Sequence, residues 1–462
     1  MSGRTSRAAA TVVVAALALA AGALLPVHGG IAAVPIDAAA DASSWIARVG
    51  DDVIPRRPTE ALWRLARREQ PDLTLPELTR HLAIDLLMGD AAAREVGDAD
   101  LFASRRVAFA PEVDVRRQWL ATLQQVWPER IEHDWQSSAP ALPSAVDAQA
   151  WRSLWSVGQG DRLRMDEALD DVQRIAAARL VLLRHRAYGD TPAGAITVAD
   201  VWPLQNVQGR RLLRGGDLAF AQAQARQLLR ERYVEQWLHR RSGWSEAELD
   251  FVRRIIEARQ RKLAWQRWQG LTGDPHGDAP PRDALATAVS ADEIAAYYRA
   301  HLDSFERLES VAGLSLRCDD RTDCGDAAPG SDLRGRPGVR PVAWRLGEAR
   351  PQAEVDAWVL DLLQAWPAGQ ASPPIRHPDG QGWERVQALS VTRGHHPADS
   401  ETVRHEARQA IALEKLGARW RQRQADLLAA AGLQWAPGIL PPETAFQPQG
   451  PMTEGKGHGH AH

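Results

Sequence analysis

The sequence has little of several residue types, and each shortage excludes a class of protein. Among 462 residues there are two cysteines, Cys318 and Cys324, which are too few for a disulfide-rich scaffold or a four-thiolate zinc site. Lysine occurs only at Lys262, Lys415 and Lys456, so arginine supplies nearly all of the 56 basic residues, against 59 acidic ones. The formal net charge of −3 gives no electrostatic reason to expect binding to nucleic acid.

Long apolar runs are also scarce, and the one present lies at the N-terminus. Arg4 and Arg7 precede "AAATVVVAALALAAGALL", and small residues follow up to about Ala33. This order predicts a cleaved export signal over residues 1–33, with an uncleaved anchor as the alternative. The apolar run is short for a spanning helix, and no second long run follows it. We therefore expect a mature protein outside the cytoplasm, with no stable membrane span after cleavage.

Tyrosine and phenylalanine are few, at 4 and 6, whereas tryptophan occurs 18 times. Two interpretations of the indoles remain open at this point. They either fill the core, or some of them line a surface that grips apolar peptide, because Trp combines a large contact area with a polar edge.

The two cysteines are close together, in "CDDRTDC". In an exported protein this spacing predicts a local disulfide between Cys318 and Cys324 that pins a loop. Two free thiols are the alternative, and a metal site would need further ligands.

Helical patterns dominate the first part of the chain. "WIARV" and "VI" flank "GDD" and predict a small hairpin. A helix with Leu62, Leu65 and Ala66 on one face follows, and Thr74 with Glu77 predicts the capping box of the next helix. The predicted helices continue to about residue 275 and indicate one helical domain.

The predicted secondary structure changes from helices to mixed strands and helices after the stretch "VSADEIAAYYRAHLDSF" at 289–305. Ser290 and Glu293 predict a capped helix with Tyr297 and Tyr298 on one face. After it come a predicted strand "SVAGLSLRC", a Gly/Pro-rich loop, a helix "QAEVDAWVLDLLQAW" and a strand in "PDGQGWERVQALSV". A final helix begins near "DSETVRHEARQ". The predicted fold class is therefore mainly α with a small α+β module.

The order of these segments resembles exported parvulin-type foldases of the SurA, PrsA and PpiD kind. The resemblance rests on "IARVGDDVI" at 46–54, on "VSADEIAAYYRAHLDSF", on "WPAGQASPPIRHPDGQGWERVQAL" at 366–389 and on the final charged helix. It implies a SurA-N-like helical chaperone domain that holds peptides over 41–275. It further implies a parvulin-like, PpiC-type domain over 289–395, a C-terminal helix over 399–435 and a flexible tail over 437–462.

The family implies peptidyl-prolyl cis-trans isomerisation together with chaperone activity toward unfolded or proline-containing exported polypeptides. Its isomerase pocket uses two histidines, one on the strand after Phe305 and one after "GQGW". In this sequence that strand carries no histidine and Glu384 stands at the second position, so whether the protein is an enzyme stays open. We expect mainly a periplasmic chaperone, with an active isomerase as the alternative. The residues expected to contact peptide are Tyr297, Tyr298, Trp344 and Trp383.

The C-terminal tail contains alternating histidines, His458, His460 and His462. Three neutral imidazoles on one side of an extended segment can bind Cu(II), Ni(II) or Zn(II) weakly. A metal-handling or assembly factor is therefore a second alternative, beside a solvated tail with no role. No other cofactor is expected.

Removal of the tail tests the metal hypothesis. If the imidazoles bind metal, truncation after Gly450 should abolish the binding of Cu(II), Ni(II) and Zn(II), as measured by calorimetry on the purified protein. Equal affinity of the full-length and truncated proteins would exclude the tail as the site.

Overall fold

The computed structural model describes most of the chain outside the two termini. The described residues are 44–103, 109–142, 145–156, 168–272, 279–325, 332–350 and 354–441. The predicted signal peptide over 1–33 and the tail imidazoles of His458, His460 and His462 lie outside these ranges.

The chain divides into two compact units. The first comprises the described residues up to Arg282 and those from Lys415 onward, and the second is Asp283–Glu414. The sequence treats the last helix as a segment of its own, whereas in the structure its residues are shared between the two units. The C-terminal part of the chain thereby returns to the unit in which the described chain begins.

Helices build most of the first unit. They are α1 (Arg56–Ala66), α2 (Leu75–Glu95), α3 (Asp98–Leu101), α4 (Pro111–Gln124), α5 (Pro128–Ser138), α6 (Ala148–Ser156), α7 (Asp171–Arg179), α8 (Val198–Val201), α9 (Val207–Arg214), α10 (Leu218–Arg241) and α11 (Glu246–Gln269). A 3-10 turn, Trp202–Leu204, follows α8. The capping boxes at Thr74 and Ser245 explain where α2 and α11 begin, because each hydroxyl accepts a hydrogen bond from the third helical N–H.

Two small antiparallel sheets complete this unit. The strands are β1 (Trp45–Val49), β2 (Asp52–Pro55), β3 (Ala141–Leu142), β4 (Val181–His185), β5 (Gly194–Thr197) and β10 (Leu433–Trp435). One sheet has the order β10-β1-β2, and the other has the order β3-β4-β5. The expected hairpin is β1–β2, and β10 joins it with Trp435 opposite Ala47.

Helices α2 and α11 pack closely in the core of the first unit. A Cβ on Gly89 would lie 2.5 Å from the Cα of Ala258, so only glycine permits this approach. Nearby on α4, Trp119 is fully buried and its Nε1–H donates to the carbonyl of Leu249 at 3.1 Å. The indole thus contributes apolar area while its one polar atom stays satisfied.

A buried ion pair lies between the same two helices. Lys262 of α11 donates to the carboxylate of Asp85 of α2, and both side chains are less than a tenth exposed. Lysine is rare in this chain, and here it takes a position where a charge is almost fully removed from water. Such a pair is stable only while both partners are present.

The second unit contains the predicted α+β module. Its helices are α12 (Pro280–Thr287), which begins in the first unit, α13 (Ala291–Ala300), α14 (Glu354–Ala365) and the first part of α15 (Glu401–Ala431). A 3-10 turn, Leu302–Phe305, follows α13. The strands are β6 (Glu306–Cys318), β7 (Val339–Arg345), β8 (Ile375–Arg376) and β9 (Trp383–His395), in the antiparallel order β7-β6-β9-β8.

Strand β7 forms one edge of this sheet, and its outer side is protected. Because the N–H of Leu346 donates to the carbonyl of Glu309 in β6 at 2.7 Å, the backbone nitrogens of Pro341, Ala343 and Arg345 lie on the outer side. Proline has no N–H, and the N–H of Arg345 donates to Glu348 Oε2 at 3.0 Å. These two features remove two of the outward N–H groups that a further strand would need.

The fold class is therefore mainly helical with small antiparallel sheets, as the sequence predicts at this coarse level. None of the described helices combines the length and apolar character that a membrane crossing requires.

The buried ion pair of the first unit gives a stability prediction. Asp85→Ala leaves the ammonium of Lys262 buried without its partner, which should lower the free energy of unfolding by about 3–5 kcal/mol in urea denaturation. Replacing both, as Asp85→Leu with Lys262→Met, should recover most of that loss because no charge remains buried. Strictly additive losses in the double variant would contradict the pairing.

Candidate functional site

The sheet of the second unit has two different faces, and α14 covers one of them, which we call the helix-covered face. Its apolar half is formed by Val311, Val386 and Ala388 with Val359 and other residues of α14. On the same face, a Cβ on Gly313 would lie 2.6 Å from the carbonyl oxygen of Gln387. Leu363 of α14 would also obstruct that Cβ, so glycine at 313 allows the helix to lie directly on the sheet.

The other half of this face is polar and contains the residue at the expected position of a family histidine. Glu384 lies at the start of β9, is 0% exposed and accepts a hydrogen bond from the hydroxyl of Ser315 on β6. Arg340 of β7 donates from Nε to the same hydroxyl at 3.2 Å. Ser315 is therefore the residue of β6, the strand after Phe305, that contacts Glu384.

The second carboxylate oxygen of Glu384 has no hydrogen-bond partner among the described residues. Burying a carboxylate with one unbonded oxygen costs free energy, because that oxygen loses its hydrogen bonds to water. Contacts elsewhere in the sheet must therefore offset the cost of burying Glu384. Ser315 is also fully buried, and neither side chain can reach a ligand in this conformation.

Sequence reasoning missed a histidine at the edge of the polar half. His377 follows β8, is almost fully buried and lies 2.7 Å through Nδ1 from Oδ1 of Asp379. Arg317 of β6 lies 3.4 Å from Nε2, and the ring of Trp358 meets the imidazole edge-on at 5.4 Å. Nδ1 therefore faces the carboxylate of Asp379, and Nε2 faces the guanidinium of Arg317. The turn sequence "HPDG" was the available signal.

Asp379 is the strongly perturbed carboxyl of this group. Its pKa is lowered from 3.8 to about 2, chiefly by the N–H of Gln381, which donates to Oδ1 at 2.8 Å, and further by Arg317 and His377. Arg317 donates to Oδ2 at 2.7 Å. Asp379 is thus an anionic cap that fixes the loop between β8 and β9.

The opposite face of the sheet is covered by loops, and we call it the loop-covered face. Its apolar cluster includes Leu316, Leu333 and Ala371 with both cysteines, which form a disulfide. Arg385 also belongs to this face and is 0% exposed. Burial lowers the pKa of its guanidinium, which nevertheless stays charged at neutral pH.

The four aromatic residues expected to contact peptide lie in three separate clusters of the second unit. Tyr297 and Tyr298 pack with Phe305, and the hydroxyl of Tyr298 donates to the carbonyl of His396 at 2.8 Å. Trp344 packs on the helix-covered face, and Trp383 packs on the loop-covered face. The structure does not bring them together into one cleft.

The indoles as a group are inside the molecule. All 18 tryptophans fall within the described residues and none is exposed. Those that are buried are Trp119, Trp127, Trp151, Trp155, Trp202, Trp237, Trp244, Trp265 and Trp420. Core filling therefore accounts for this composition better than a surface that grips peptide.

Other chemistry is not evident in the described ranges. There, no group of three or more His, Cys, Asp or Glu side chains could hold a metal ion. The tail histidines are outside the described residues, so their proposed metal binding stays a prediction.

Among known proteins, one solved structure is similar to this chain. No protein-family model matches the chain, and no curated protein matches it. A solved structure from a study of SurA-like chaperones of Campylobacter jejuni, the virulence factor PEB4 and a related periplasmic protein, is similar to it at 14% identity. That match covers 44% of this chain and 69% of the other, with a TM-score of 0.17, which is too low to carry an argument.

The low pKa of Asp379 predicts a pH dependence. A carboxyl whose folded-state pKa lies below 3.8 contributes stability above that pH and loses it as the pH falls through about 2. The difference in unfolding free energy between wild type and Asp379→Asn should therefore be constant from pH 5 to pH 8. The lower limit is roughly one unit above the unfolded pKa, so the carboxyl is ionised in both the folded and the unfolded state over this range. It should shrink as the solution is acidified below pH 4.

The exposed Asp303 supplies the matched control. Asp303→Asn should change the unfolding free energy little at any of these pH values. A difference for Asp379→Asn that stays constant down to pH 2 would contradict the assignment.

Proposed function

We propose that the protein is an exported, periplasmic folding factor that holds unfolded polypeptides and does not catalyse rotation of X–Pro bonds. One observation supports the proposal that the protein does not catalyse X–Pro rotation. Glu384, at the expected position of a family histidine, is fully buried and hydrogen-bonded to Ser315. The first half rests on the sequence resemblance to SurA-like, parvulin-type foldases and on the order of a helical unit followed by a small sheet-containing unit.

Rotation of an X–Pro bond requires a site that binds the twisted amide better than the planar one. The barrier is about 18–20 kcal/mol, and a catalyst must offer an accessible, shaped pocket to lower it. Ser315 and Glu384 instead bond to each other beside the apolar half of the helix-covered face. With no exposed surface on either side chain, this position supports the shape of the sheet and offers no contact to a prolyl ring.

Holding an unfolded chain requires exposed apolar surface and no catalytic group. Helix α7 of the first unit provides such a surface, because Val172 is 68% and Ile175 is 56% exposed. These residues are three positions apart, so they are neighbours on one side of the helix. We infer that this side of α7 contributes to binding of unfolded polypeptide.

The edge of β7 constrains how a client can bind to the second unit. Pro341 and the bond from Arg345 to Glu348 occupy two positions on its outer side, which disfavours addition of an extended client strand there. Side-chain contacts, and not strand addition, are therefore the expected mode of binding at this edge.

Two assays on the pure full-length protein test the proposal. It should delay aggregation of a chemically unfolded outer-membrane protein and leave the isomerisation rate of a proline tetrapeptide at the uncatalysed value. Glu384→Gln should change neither result by more than about twofold, since the group contacts no client. Val172→Ser with Ile175→Ser should raise the concentration needed for half-maximal protection about fivefold, because about 1 kcal/mol of apolar contact is lost.

Val53→Ser is a suitable control, because Val53 is also an exposed apolar residue of the first unit and lies on β2. It should leave protection unchanged. Accelerated isomerisation by wild type that Glu384→Gln abolishes would instead support the alternative of an unorthodox isomerase. Failure of the wild-type protein to delay aggregation would remove the chaperone proposal.

A further inference from the structure

Arg385 is the central polar group of the loop-covered face. Its Nε–H donates to the carbonyl of Ser372 at 2.8 Å, and its Nη1 donates to the carbonyl of Cys324 at 3.0 Å. Both acceptors are backbone oxygens of loops that lie over the sheet, and all three residues are fully buried. The guanidinium is therefore solvated by the loops that cover it.

The disulfide fixes one of these acceptors. Cys318 ends β6, and Cys324 follows six positions later, so the bond holds the intervening loop against the sheet. The carbonyl of Cys324 also accepts a hydrogen bond from Nη1 of Arg336 at 2.9 Å. Two arginine side chains thus converge on one oxygen whose position depends on a covalent bond.

The other loops of this face are tied to the same strand. The N–H of Leu333 donates to Oε1 of Gln387 at 2.7 Å, and the N–H of Ser372 donates to the carbonyl of Val386 at 2.7 Å. Leu333 and Cys324 also belong to one apolar cluster. Displacement of the Cys324 loop would therefore expose Arg385 and loosen the neighbouring loops.

We propose that the Cys318–Cys324 bond is a redox-controlled lock on the loop-covered face, which acts by holding the Cys324 carbonyl against the buried Arg385. When the bond is reduced, the loop is free to leave, Arg385 loses an acceptor, and the segments 332–338 and 369–373 open. The disulfide closes only a short loop, so its restriction of the unfolded chain is modest and its main effect is on native contacts. The second unit then reaches its closed form only where an oxidant is present.

The redox step is a thiol–disulfide exchange. Two electrons and two protons pass from a dithiol such as dithiothreitol to the protein disulfide, giving two cysteine thiols and the oxidised cyclic reagent. Oxidised glutathione reverses the reaction and is itself reduced to two thiols. Since the chain has no other cysteine, each reagent changes this bond alone.

Hydrogen exchange measured by mass spectrometry on the full-length protein tests the lock. With dithiothreitol, exchange in segments 332–338 and 369–373 should rise by about 10-fold, while α10 and α11 of the first unit stay unchanged. Reoxidation with oxidised glutathione should restore the original rates. Equal protection of these segments in the oxidised and reduced protein would overturn the proposal.

Two variants separate the role of Arg385 from a general effect of the bond. In Arg385→Met no charge is buried, so reduction should raise exchange by less than about threefold. Cys318→Ser with Cys324→Ser should resemble the reduced wild type and should not respond to dithiothreitol. If Arg385→Met opens on reduction as much as the wild type does, the lock does not act through the guanidinium, and the proposal is wrong.

Discussion

The second unit depends on burying two consecutive polar side chains, a carboxyl and a guanidinium, at the start of strand β9. Glu384 and Arg385 are both 0% exposed, and the alternation of β9 directs them to opposite faces of the sheet. Each must therefore find its partners separately. Glu384 meets Ser315 beneath α14, whereas Arg385 meets backbone carbonyls of the covering loops. Both faces of the sheet are organised by these requirements, because an unpartnered buried charge costs more than a fold of this size can easily lose.

The same constraint appears in the first unit in a different form. Asp85 and Lys262 join two long helices through a nearly buried ion pair, next to the close approach of Gly89 and Ala258. The surrounding core is apolar and rich in indoles, and the pair lies where α2 and α11 meet. In both units, polar groups inside the core therefore have to find partners within the fold.

These features bear directly on function. A site for catalysis needs polar groups that a substrate can reach, and the most unusual carboxylate of the sheet is closed to solvent and bonded within the fold. The exposed apolar side chains on α7 can contact a polypeptide but carry no reactive group. Our proposal of a folding factor over an isomerase rests on this contrast.

Local features of the fold were accessible from the sequence because they depend on neighbouring residues. The hairpin β1–β2, the capping boxes at Thr74 and Ser290, and the strand that leads to Cys318 all have short-range signals. Strand β7 was not predicted, because Pro341 and the glycines before it are typical of a loop. Only its place at the edge of the sheet makes the proline acceptable.

The candidate site was predictable only in part. Glu384 could be noted as a departure from a family pattern, but its contact with Ser315 joins residues 69 positions apart. His377 was overlooked because a turn sequence does not reveal that its ring is buried. The sequence by itself determined the helices, the turns and the faces that must be buried, since these follow from local propensity and periodicity. Only the tertiary structure decided which polar groups are buried, which residues bond to them and how β10 pairs with β1. The reason is that burial and strand register depend on contacts between segments far apart in the sequence.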